Sequence, residues 1–262
     1  MIRELFSIGP LSISPFGVML ALSFLAAYWQ LQRGLARLSI GGPEDASEIL
    51  IWAGVGGVLG AKLYYVILYG DWSLLVTRSG LVWYGGFILG TIAVAVAIRR
   101  RGLPMGRTID AAAVAVALGY AVGRIGCFLV GDDYGRVTTL PWGVEFPVGL
   151  PPTTAGALRA VFGMEIPAEI PADQVLAVHP TQLYETAAAL AIWWIGWRLL
   201  SSERAAGTVA CVVVGLLAVE RFAVEFLRAK DDRFFGAFTM AQLISLAALV
   251  LVFSIWAARR RR

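Results

Sequence analysis

Histidine occurs once and cysteine twice in this sequence, and only 15% of its residues are charged. Cys127 and Cys211 both lie in apolar stretches and form no metal-ligand spacing, which excludes a disulfide framework and a structural zinc site. The net charge of +4 does not point to nucleic acid, because the basic residues stand in short clusters beside apolar stretches and no nucleic-acid-binding motif accompanies them. The first apolar stretch is preceded only by Arg3 and Glu4 and is followed by no small-residue cleavage site, so it reads as a retained span rather than a removed signal peptide.

Apolar length is what the chain has in abundance. Hydrophobic residues make up 58% of it, against about 45–50% in soluble domains, and the mean hydropathy is +0.73. Seven stretches approach the roughly 20 apolar residues that a membrane span requires: 13–32, 49–69, 82–98, 108–130, 181–200, 207–227 and 236–257. The expected fold is therefore an all-α polytopic membrane protein with seven transmembrane helices, forming a single integral membrane domain over 1–262. Arg33 and Arg37, Arg99 to Arg101 with Arg107, Arg198 and Arg204, and Arg259 to Arg262 fall in alternate connections, which hold 12 of the 22 basic residues. The positive-inside rule makes those connections cytoplasmic, with the N-terminus outside and the C-terminus inside. The segment 131–180 then lies outside; its six acids outnumber two arginines, and Pro147, Pro151, Pro152, Pro167 and Pro171 disfavour long helices, so an irregular extracytoplasmic loop or cap is expected there.

Against this background the run from Gly123 to Arg136 stands out, with Arg124, three closely spaced glycines and the aspartate pair 132–133 at the end of an apolar stretch. Ionisable residues within a membrane span are costly and mark functional sites. Arg124 and Arg221 lie at a common depth, about 10 Å from the outer end of their spans at 1.5 Å rise per residue. Lys62 is at a similar depth, and Tyr84 and His179 open the third and fifth spans at the same boundary. Arg124, Cys127 and Gly131 recur at helical spacing, as do Arg221, Glu225 and Arg228, so each set forms one polar stripe. Arg124 has no acid one turn away and requires a partner from another helix, with Glu185 and Glu225 as candidates. The sole histidine, in His179-Pro180-Thr181-Gln182, stands at a helix start with proline at the first helical position, as a cap or a pocket base. Two arginines at one depth match the phosphate of an anionic phospholipid head group whose tails remain among the membrane lipids.

Gly123-Arg124-Ile125-Gly126 followed by Gly131 and Gly135-Arg136 resembles the signature of bacterial prolipoprotein diacylglyceryl transferases. The resemblance extends to Ser79-Gly80 through Tyr84-Gly85-Gly86, to His179-Pro180-Thr181-Gln182-Leu183-Tyr184-Glu185, and to the segment from Arg221 to Arg228. Gly60-Ala61-Lys62-Leu63 with Tyr65, and Thr239-Met240-Ala241-Gln242, are weaker matches in the same order. It implies an inner-membrane enzyme that transfers diacylglycerol from phosphatidylglycerol to the lipobox cysteine of a prolipoprotein signal peptide, with no metal or redox cofactor and no nucleic-acid partner. On that reading Arg124 and Arg221 bind the phosphate, Glu225 and Glu185 orient them, Gly131 and Arg136 shape the entrance, and Asp132, Gln182, Lys62, Cys127 and Phe16 complete the substrate site.

The chain departs from the family pattern at four of these positions. Tyr84 replaces a histidine, Cys127 an asparagine, Phe16 a tyrosine and Asp132 a glutamate. The proton of the attacking thiol, whose reference pKa is about 8.5, then falls to Tyr84 or His179, with Asp132, Glu185 and Glu225 as alternatives. Two other readings fit the same residues: a paralogue that moves a phospholipid group to a different acceptor, and a non-catalytic phospholipid binder or transport subunit.

Overall fold

The computed structural model describes residues 6–8, 11–77, 80–229, 233–235 and 238–260. Arg3, Glu4, Ser79, Arg261 and Arg262 lie outside the described residues. A helix runs through each of the seven expected apolar stretches: α1 (Pro15–Arg37), α2 (Pro43–Tyr69), α3 (Trp83–Arg100), α4 (Met105–Val130), α6 (Thr181–Leu199), α7 (Thr208–Val224) and α8 (Met240–Arg260), the last preceded by the short strand Phe238–Thr239. Between α4 and α6 lies the short α5 (Ala155–Phe162). Three of them, α2, α4 and α8, are long and apolar enough to cross a membrane. Their outward faces carry exposed Ile51, Ile67, Val116, Val250 and Phe253, a surface suited to lipid rather than water.

Local chemistry sets the ends. Ser14 accepts a hydrogen bond from the backbone of Gly17 at 3.1 Å, and Pro15 opens α1 where its missing N–H costs nothing. Asp45 accepts from the backbone N–H of Gly42 at 2.9 Å, which starts α2 at Pro43, earlier than the expected residue 49. Gly131 ends α4 in the left-handed region at φ 71°, where a glycine carries no Cβ penalty. Asp110 of α4 accepts from the backbone N–H groups of Gly207 and Ala210, each at 2.7 Å, so α4 caps the start of α7 and fixes its height.

Two closely packed groups result. In one, α2 lies against α3 so tightly that a Cβ on Gly60 would fall 2.2 Å from the carbonyl oxygen of Gly85, and the reverse holds for Gly85. In the other, α4 packs on α1, α6 and α7, and α8 packs on α7. Leu31, Leu35, Ile98, Val114, Leu200 and Val213 form their shared apolar core. The irregular segment 131–180 has a core of its own, in which the Tyr134 and Phe146 rings stack 5.6 Å apart beside Leu158 and Val178. Its two short strands, Val144–Glu145 and Ala177–Val178, pair antiparallel, and a bridge between Gly135 and Arg228 ties the segment to the chain leaving α7.

Candidate active site

The end of α4, the start of α6 and the end of α7 converge, and each delivers charge to one point. Arg124 sits one residue after Gly123, on the face of α4 that turns toward α6 and α7. Its Nε lies 3.0 Å from Glu185 Oε2, and its Nη1 lies 2.9 Å from Asp133 Oδ2. Glu185 is the centre of the group: its side chain is 0% exposed, it accepts from the Tyr120 hydroxyl at 3.0 Å, and it also stands 3.9 Å from Arg221. Arg221 pairs with Glu225 one turn later at 2.6 Å, and Arg228 reaches the same carboxylate at 3.7 Å. Arg228 also bonds Asp133, so the Asp133 carboxylate bridges two guanidiniums. The Arg124 guanidinium lies over the Tyr120 ring, 5.1 Å from its centroid, and Nη1 is 3.8 Å from Cys127 Sγ.

Why the chain arranges itself this way is local. After Gly131 the backbone turns, and Asp133 adopts φ 56°, a left-handed conformation that aspartate tolerates better than most residues. Gln182 donates to the Asp132 carbonyl at 2.5 Å and Thr181 to the Asp133 carbonyl at 2.8 Å, so the start of α6 holds the turn by its backbone. On the other side Arg136 N–H donates to Leu227 O at 2.7 Å and Ala229 N–H to Tyr134 O at 3.2 Å. That pairing ends α7 at Val224, short of the expected residue 227, and bends Arg228 back toward Asp133. Burial tends to raise the Asp133 carboxyl, but the guanidiniums of Arg228 and Arg124 outweigh it and hold it below the usual carboxylate range. Asp132 is the opposite case, raised by burial and by its charged neighbour Asp133.

Not every expected residue joins this cluster. Glu185 is the inter-helical partner of Arg124, and Glu225 serves Arg221 and Arg228 instead. Cys127, Asp132, Gln182 and Gly131 border the cluster on α4, its terminal turn and α6. Phe16 faces Gly126 on the neighbouring α1, near the end of α4, and Arg136 donates to the Arg228 carbonyl at 3.3 Å. Lys62 and Tyr84 stand on the α2–α3 pair, where Lys62 donates to Thr77 O and Oγ1 at 2.8 and 3.0 Å and the Tyr84 ring packs edge-on against Trp83. His179 makes no side-chain cap: its Nδ1 lies 3.3 Å from the Tyr184 hydroxyl, which accepts from Trp142 Nε1 at 2.8 Å. Helix α6 begins at Thr181, so Pro180 stands just before the first helical position rather than in it, because the Thr181 N–H turns back to the His179 carbonyl.

Four participants were given no role from the sequence. Asp133 was hidden behind Asp132, which took the family's acidic position, and Arg228 was recognised only as part of a stripe. Tyr120 lies one turn before Arg124, a spacing that did carry the signal. Glu220, the residue before Arg221, is buried on α7. Cys127, Asp132 and Asp133 bring possible ligand atoms within 4.8 Å of one another, but two guanidiniums already lie on Asp133 and would repel a cation there. Arg228 Nη1 is a buried donor with no hydrogen-bond acceptor among the described residues.

Apolar helices around a buried arginine–carboxylate cluster define a multi-pass membrane protein. The family model for prolipoprotein diacylglyceryl transferase matches residues 3–258, and the chain belongs to that family. It is 34% identical, over 97% of its length and 92% of the relative's, to the phosphatidylglycerol–prolipoprotein diacylglyceryl transferase of Solidesulfovibrio magneticus. It is 31% identical to the protein of the same name from Geobacter sulfurreducens, over 98% of this chain and 95% of that one. The corresponding figures for the Allorhizobium ampelinum protein of that name are 30%, 97% and 88%.

Proposed function

We propose that this protein transfers the diacylglyceryl group of phosphatidylglycerol to the lipobox cysteine of prolipoproteins, as the names of its relatives describe for them. The observation that carries this reading is the convergence of Arg124, Arg221 and Arg228 where the ends of α4 and α7 meet, with Arg228 Nη1 a buried donor that has no acceptor among the described residues. Guanidinium forks bind phosphate oxygens bidentately. Arg124 and Arg221 hold the lipid phosphate with Arg228 beside them, and Glu185 and Glu225 fix their orientation. The substrate thiolate attacks the glycerol carbon that bears the phosphate. A sulfur–carbon bond forms, the carbon–oxygen bond breaks, and glycerol phosphate leaves with the electron pair, its charge stabilised by the arginines. The thiol proton passes to a base, for which His179, beside the Tyr184 hydroxyl, and Tyr84 are the candidates nearest the outer boundary. Gly131, Gln182, Asp132 and Cys127 line the approach, Arg136 and Phe16 flank it, and Lys62 serves the lipid from α2.

The same reading sets the protein in the bacterial inner membrane as one integral domain, 1–262. Its seven long helices cross the bilayer, with the N-terminus outside and the C-terminus in the cytoplasm, and 131–180 caps the outer face. The distribution of arginines between alternate connections and the separate small core of 131–180 support this topology. Complementation tests the function: expression in cells depleted of their own diacylglyceryl transferase is expected to restore lipoprotein maturation and growth. Well-expressed protein that fails to rescue points instead to a paralogue with another acceptor, which the residues at 16, 84 and 127 would permit. Tight phospholipid copurification without turnover points to a binding protein.

A further inference from the structure

The cluster is already balanced within itself. Three guanidiniums, Arg124, Arg221 and Arg228, pair with the carboxylates of Asp133, Glu185 and Glu225. A phosphodiester arriving beside these arginines adds a further negative charge, so a resident carboxylate has to yield its contacts. Two of the three are poorly placed to do so. Glu185 is fully enclosed and held by Tyr120, and Glu225 is 2% exposed and bound between Arg221 and Arg228.

Asp133 differs in each respect. Its side chain is 42% exposed, whereas those of its partners Arg124 and Arg228 are 13% and 8% exposed. It spans both guanidiniums with its two oxygens, the arrangement that two phosphate oxygens adopt between a pair of arginines. Its backbone is pinned through the Asp132 and Asp133 carbonyls by Gln182 and Thr181, so the carboxylate can leave by side-chain rotation alone while the turn stays in place. The left-handed backbone at φ 56° is what directs this short side chain back over the end of α4.

We propose that Asp133 is an internal stand-in for the substrate phosphate: it occupies Arg124 and Arg228 in the ligand-free protein, is displaced by the phosphodiester of the lipid donor, and returns to displace the glycerol phosphate product. This rests on the transferase reading above and adds a specificity-determining residue to it. Exchange of one anion for another keeps the buried arginines compensated throughout the cycle, which limits the desolvation cost of leaving them unpaired. It also weakens the binding of lipid donor and product alike, because each competes with an intramolecular carboxylate.

The test compares the full-length wild type with Asp133→Asn, which keeps the shape and removes the charge, and Asp133→Glu, which restores a carboxylate. Transfer from phosphatidylglycerol to a lipobox peptide gives KM and kcat, and calorimetry with glycerol phosphate gives product affinity directly. For Asp133→Asn, KM for phosphatidylglycerol and the Kd for glycerol phosphate are expected to fall together by roughly tenfold, the worth of one lost charge-assisted competitor. The kcat is expected to stay level or drop as product release slows, and Asp133→Glu is expected to return both constants toward wild type. A raised KM with unchanged product affinity and a lower melting temperature shows that Asp133 only braces the turn, and overturns the proposal. If the wild type transfers nothing while Asp133→Asn still binds glycerol phosphate more tightly, the transferase reading fails and the exchange stands.

Discussion

Arg124→Ala is expected to reduce diacylglyceryl transfer by about 10³-fold, at the upper end of what loss of a preorganised charge donor costs. Arg124 touches the enclosed Glu185 on one side and the exposed Asp133 on the other, so it joins the interior of the bundle to the face open to substrate. Its removal takes away one phosphate fork and leaves Glu185 facing Arg221 alone, at 3.9 Å. Arg124→Lys keeps the charge without the planar fork and is expected to recover only a small part of the rate, since the two side chains are not equivalent at bidentate sites. Initial rates for the three proteins, at matched folding judged by thermal melting, check this. Comparable rates in all three would remove Arg124 from the mechanism.

Glu185→Ala is expected to have the largest effect on stability. A carboxylate with no exposure, set against Arg124, Arg221 and the Tyr120 hydroxyl, is the counter-charge for two partly buried cations. Removing one member of such a group leaves the others uncompensated, at a cost of about 3–5 kcal/mol. Glu185→Gln keeps the acceptor for Tyr120 and loses only the charge, so a smaller loss is expected. Denaturation of purified protein in detergent measures both. Equal stability of wild type and Glu185→Ala would mean that the arginines are compensated elsewhere.

The helices were legible because each carries a long apolar run that announces itself in the sequence. Arginine at 124 and 221 was legible for the complementary reason, that a cation inside an apolar run demands a partner. Spacing along one helix could not say which helices would touch. The choice between Glu185 and Glu225 for Arg124 depended on α4 packing against α6, and the remoteness of Tyr84 from the ion pairs of the cluster depends on α2 and α3 pairing with each other through Gly60 and Gly85. Asp133 was least legible of all. Its place between Arg124 and Arg228 requires a left-handed turn after α4 and a strand-like return of the chain past Arg228, and both are products of tertiary contact. The early end of α7 has the same origin, since pairing of Leu227 and Ala229 with the 134–136 backbone replaces further helical bonds.

The central claim is that an arginine cluster at the end of α4, α6 and α7 carries out group transfer from a phospholipid. Its most direct test gives purified protein phosphatidylglycerol labelled in its acyl chains together with a lipobox peptide. The label is expected to move to the cysteine sulfur as a thioether, with release of one glycerol phosphate per peptide modified. Phosphatidylglycerol that binds and is recovered intact, with no label on the peptide under conditions where a relative of the same family transfers it, would contradict the account.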